Sequence, residues 1–83
     1  MNVFPITSYH AAKILVCFQQ LGIIGDVRDY KTIYRDLNSN FLCNVHTGRK
    51  GMSMELQNAE SNDALAQILR TIAQEPEPLQ AAW

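Results

Sequence analysis

From Phe41 to Leu56 the chain alternates apolar and polar positions. Phe41, Cys43 and Val45 share one phase, and Met52, Met54 and Leu56 repeat it beyond Gly48-Arg49. A period of two on both sides of a short break predicts two half-buried strands joined by a turn. Placing the two-residue loop at Gly48-Arg49, with glycine supplying the positive φ of a type II′ turn, sets Val45 against Met52, Cys43 against Met54 and Phe41 against Leu56. Leu42, Asn44, His46, Ser53 and Glu55 then form the opposite face. Helical periods flank this hairpin of about 41–57. Ala11, Ile14, Leu15, Phe18 and Leu21 predict a helix over 8–21, capped by Thr7 or Ser8 and stopped at Gly22. Leu65, Ile68, Leu69 and Ile72 predict another over 62–74.

The stretch 26–38 fits two periods. As a helix capped by Asp26, it puts Val27, Tyr30, Ile33, Tyr34 and Leu37 on one face. As a strand, Tyr30, Thr32 and Tyr34 alternate. The helix is the preferred reading. It gives a small single α+β domain over 1–74, a hairpin packed by helices 8–21, 26–38 and 62–74. The alternative is α-β-β-β-α with a three-stranded meander. Val3 and Phe4 are candidates for an added strand, since Pro5 prevents a helix there. Ile23 and Ile24 are expected to tuck inward between Gly22 and Gly25. The Glu75-Pro-Glu-Pro run opens an extended tail, 75–83, ending in Leu79 and Trp83, and the tryptophan is a candidate anchor on a partner.

At 83 residues one domain is expected, and only 18% of positions are charged. A surface so poor in charge favours a binding protein or a homodimer formed through an open strand edge or a helix face. The N-terminus lacks a signal-peptide pattern and no apolar run is long enough to span a bilayer, so a soluble cytoplasmic protein is the expectation. The net charge of −1 is uneven: residues 27–54 are basic and 55–83 acidic.

The basic segment carries the sharpest candidate site. On a helix, Arg28, Lys31 and Arg35 fall at i, i+3 and i+7 on one face, with Tyr30 and Tyr34 at its margin and Arg49 and Lys50 at the hairpin tip. A basic helix followed by a basic hairpin resembles, in element order over residues 8–57, the recognition helix and wing of winged-helix DNA-binding domains. That resemblance implies phosphate contacts from these five cations. The alternative α-β-β-β-α order resembles the double-stranded-RNA-binding fold. Where that family is basic this chain reads Asn58-Ala-Glu-Ser-Asn-Asp63, so the RNA activity does not carry over. Gly48-Arg49-Lys50-Gly51 also fits the GxxG pattern of KH domains, but its strand flanks make a hairpin turn the better reading.

Little else carries chemistry. His10, Cys17, Cys43 and His46 are the possible metal ligands; strand alternation sends Cys43 and His46 to opposite faces, and neither a metal nor another cofactor is expected. The two cysteines are expected to be reduced. No nucleophile has a positioned base, and no carboxylate pair or phosphate loop stands out. The sequence therefore predicts a small non-enzymatic interaction module. It would act as an adaptor or inhibitor, of the phage or plasmid accessory type, that masks a surface of a protein or protein–nucleic acid partner. A winged-helix-like DNA-binding regulator is the alternative. For either, Arg28, Lys31, Arg35, Arg49, Lys50, Tyr30 and Tyr34 are the partner-binding candidates.

Overall fold

Alternation governs more of the chain than the 41–56 hairpin. The computed structural model describes residues 3–36, 38–39, 41–56 and 64–78. Their order is β1 (Val3–Ile6), α1 (Ser8–Gln20), β2 (Gly25–Arg28), β3 (Lys31–Arg35), β4 (Phe41–Gly48), β5 (Gly51–Leu56) and α2 (Ala64–Gln74). All strands pair antiparallel in one sheet of order β1-β5-β4-β3-β2. The chain is thus a small α+β domain, with two helices and five strands among the described residues. The N-terminal lead does add a strand, at the sheet edge where Pro5 needs no inward donor.

The helix expected over 26–38 is corrected to the hairpin β2–β3. Tyr30, Ile33 and Tyr34 satisfy a helical period, but Val27, Thr32, Ile33 and Tyr34 are β-branched or aromatic and gain more from a pleated surface. β3 also finds β4, which without it would be an open edge; Lys31 pairs with His46, Ile33 with Asn44 and Tyr34 with Cys43. Leu37, Asn40, residues 57–63 and the end of the tail, residues 79–83 with Leu79 and Trp83, lie outside the described residues.

The central hairpin forms with its register displaced by two. The turn is Arg49-Lys50, closed by Gly48 opposite Gly51, so Val45 faces Met54 and Cys43 faces Leu56. Positive φ falls on Gly51 (127°), not on Gly48. A displacement of two preserves the faces, because side chains alternate with the same period. A bulge at Tyr34/Arg35 makes Leu42 the extra residue of β4, and Leu42 packs against the core instead of joining the opposite face.

The inner face of the sheet supplies Ile6, Tyr34, Cys43, Val45, Met54 and Leu56 to the core. Ile14 and Phe18 of α1 and Leu69 of α2 complete it. Phe18 lies on Tyr34 with ring centroids 4.5 Å apart. The stripe of α1 is therefore narrower than its sequence suggests: Leu15 and Leu21 are exposed, while His10 is buried. Ile23 tucks against the core as expected, but Ile24 is 85% exposed. Gly22 ends the helix at φ 73°. No described helix is long and apolar enough to cross a membrane.

His10 explains its own burial. The Thr7 backbone N–H donates to its Nδ1 at 3.0 Å, and its Nε2 bonds the carbonyl of Glu75, 65 positions away. These two contacts require the neutral tautomer with the proton on Nε2. The Glu75 carboxylate reaches back to the same helix, accepting from Tyr9 Oη at 2.8 Å and from Lys13 Nζ at 2.7 Å. The N-terminal turns of α1 thus hold the C-terminal end of α2. The hydrogen-bonded Lys13 ammonium, and then the Tyr9 hydroxyl, keep the Glu75 carboxyl below its usual value near 4.5.

Two outcomes follow from this packing. Phe18→Ala should cost about 3–5 kcal/mol, since a fully buried ring leaves a cavity beside Tyr34; urea unfolding measures it. A carboxylate with a depressed pKa contributes stability above its unfolded value and loses it as pH falls through the folded one. Between neutrality and acid below pH 4.5, the wild type should therefore lose more melting temperature than Glu75→Gln. Equal losses in parallel thermal melts would remove the clasp as a source of stability.

Candidate functional site

Strand pairing decides where the seven candidate residues go. Tyr34 points inward, 4% exposed against Phe18, and burial pushes its phenol up. It belongs to the core and leaves the surface set. Its neighbours in β3 alternate with it, so Lys31, Ile33 and Arg35 take the outer face, which neither helix covers. Across β2, Arg28 stands opposite Lys31 and Asp26 opposite Ile33. Arg28, Lys31 and Arg35 do share a face, but it is the face of a sheet and not the side of a helix. The winged-helix resemblance loses its recognition helix.

The same outer face continues over β4 and β5 with Asn44, His46, Ser53 and Glu55. Asn44 donates to Glu55 at 3.2 Å. Arg28 is engaged locally: its guanidinium lies 2.9 Å from the Asp26 carboxylate, and their hydrogen bond holds Asp26 below and Arg28 above their usual values. Among the described residues Lys31, Arg49 and Lys50 form no ion pair.

Two hairpin tips lie together at one end of the sheet. Thr47 N–H donates to the Tyr30 carbonyl at 2.7 Å, which carries the β3–β4 ladder up to the β2–β3 turn. Asp29-Tyr30 thus sits beside Arg49-Lys50, and Tyr30, His46, Thr47, Gly48 and Arg49 enclose an open hollow of about 380 Å³. Tyr30 is 74% exposed. The site that emerges is the Tyr30 ring in a hollow with His46 and Arg49, with Lys31 and Lys50 next to them along the chain and Asp29 in the tip itself. Arg35 lies at the far end of β3, opposite Phe41, and does not join it. Sequence reasoning missed His46 as a member. Its phase in β4 was visible, but its neighbour Lys31 became visible only with the β3 pairing.

The arrangement offers cationic donors and an aromatic face. Among the described residues no three His, Cys, Asp or Glu side chains gather to hold a metal. Both cysteines are free thiols. Burial, with a smaller contribution from Cys17, pushes the Cys43 thiol up to about 12, which keeps it protonated and unreactive.

Surface and core assignments separate experimentally. Replacing Lys31, Arg49 and Lys50 together by alanine should leave the urea midpoint unchanged, as expected for exposed side chains with no ion pair among the described residues. Tyr34→Ala should cost about 3–5 kcal/mol, the range for a deleted core aromatic. A large midpoint shift in the triple variant would mean that these cations hold the tips together.

No family model matches the chain, and no curated protein or solved structure is significantly similar to it.

Proposed function

We propose that the chain is a small cytoplasmic protein-interaction module, an adaptor or inhibitor without enzymatic activity. It would use the paired hairpin tips to mask an acidic surface of a protein partner. The observation that carries this reading is the hollow that the exposed ring of Tyr30 shares with His46 and Arg49 between the two tips, with Lys50 next in the turn and Lys31 opposite His46 in the ladder. Tyrosine and arginine are the residue types that dominate interface energetics, because each brings a large contact area together with a polar handle. Cations with no partner among the described residues steer an acidic surface into place and fix its orientation.

The charge pattern favours protein over nucleic acid. Asp29 lies within the tip, and Asp26 neutralises Arg28 next to it. Carboxylates interspersed with cations repel a phosphate backbone but suit a protein surface of mixed charge.

A charge-reversed variant, Lys31→Glu/Arg49→Glu/Lys50→Glu, tests this against wild type of matched thermal stability. Both are immobilised for quantitative capture from a lysate of the source cells, and both are titrated by fluorescence anisotropy against mixed-sequence duplex DNA and RNA at low and moderate salt. The expected result is a protein retained by the wild type, at least about tenfold depleted on the variant, with no nucleic-acid binding; about 1.4 kcal/mol suffices for that ratio. Equal retention by both would overturn the reading. So would nucleic-acid binding that weakens steeply with salt and disappears in the variant, because counterion release demands that slope.

A further inference from the structure

The sheet has two edges, and they differ. β1 carries Pro5, which removes a donor and blunts that side. β2, Gly25-Asp26-Val27-Arg28, has no proline, and among the described residues neither a strand nor a helix covers its outward side. The backbone phase of this edge follows from one bond. Thr47 N–H donates to the Tyr30 carbonyl, so position 30 faces β4 and the alternate positions 31 and 33 face β2. Their partners are Arg28 and Asp26. The amides and carbonyls of Gly25 and Val27 therefore point outward, ready to pair.

The side chains on this edge are self-complementary. An antiparallel second copy centred on Val27 sets the two Val27 residues as a mutually hydrogen-bonded pair. Asp26 of each chain then lies directly opposite Arg28 of the other. Opposite charges in that cross-strand position attract, and the pair is the close, non-hydrogen-bonded kind. No other centre on the strand gives two opposite-charge pairs. Val27 is 75% exposed and Ile24, just before the strand, 85%. Beside them Leu15, Ile23, Thr32 and Tyr34 line an open hollow of about 350 Å³ between α1 and the edge.

We propose that the β2 edge is a homodimer site. Two copies join antiparallel through Val27, with Asp26–Arg28 pairs on either side of the twofold axis, and the two sheets become one continuous sheet. The site is independent of the hairpin-tip reading and survives its failure. It leaves Tyr30, Arg49 and Lys50 outside the contact and presents two copies of that surface on one assembly.

Charge reversal tests both the edge and the register. Asp26→Arg and Arg28→Asp are exposed substitutions, made singly, with circular dichroism and thermal melts confirming that each folds. Sedimentation velocity over a concentration series reads the association. The wild type should dimerise. Each single variant should associate about tenfold or more weaker, because both cross-strand pairs become like-charged. An equimolar mixture of the two should form a heterodimer, since every pair is then opposite in sign. A wild type monomeric throughout the series would overturn the proposal. Single variants that dimerise as well as the wild type would place the contact elsewhere, on a helix face or the β1 edge. A mixture that stays monomeric would refute the Val27-centred register.

Discussion

The packing of Phe18 onto Tyr34 is the constraint from which the working surfaces descend. Once the Tyr34 ring is held inward, the two-residue period of β3 leaves Lys31 and Arg35 nowhere to go but outward. The pairing of β3 with β4 then brings His46 beside Lys31, and the pairing with β2 brings Arg28. One aromatic contact between a helix and a strand thus sets which residues meet solvent across three strands. A chain of this size has only a small core with which to impose such order. That core is concentrated where β3, β4 and β5 pass beneath α1 and α2.

What the sequence made legible follows from which patterns survive errors of placement. The faces of the 41–56 hairpin were readable although its register was not. Glycines at 48 and 51 offer two competing turn positions, and moving between them displaces the pairing by two without exchanging the faces. The segment 26–38 is ambiguous in sequence because Tyr30, Ile33 and Tyr34 serve a period of 3.6 as well as one of two. Only the presence of β4, an unpaired neighbour, decides between them, and that is tertiary information. Likewise Leu15 and Leu21 fit the stripe of α1 on a helical wheel. Among the described residues no surface covers them, so the fully buried part of the stripe narrows to Ile14 and Phe18. Nothing local marks His10 as buried. Its partner is a backbone carbonyl at the far end of the chain, and no spacing rule connects positions 10 and 75.

The candidate site was half legible for a related reason. A helical period groups the cations at 28, 31 and 35 on one face, and the sheet keeps them on one face by a different geometry. Their association with the hairpin tip at 49–50 holds only for the members near residue 30. Charge patterning shows that a basic region exists; ladder register decides which of its members are neighbours.

The order of the strands bears on how the chain finds its structure. β2 to β5 form a run of local hairpins in which each strand pairs with the next. β1 is the exception: its partner β5 lies about fifty positions away, and the loop between them must close before that pairing returns any free energy. The meander is therefore the part of the sheet able to assemble early. The N-terminal strand is the one whose pairing must wait for β5. A chain emerging in synthesis order must accordingly hold residues 3–6 unpaired until β5 has been made, whereas Phe18 of α1 has Tyr34 of β3 to rest on before then.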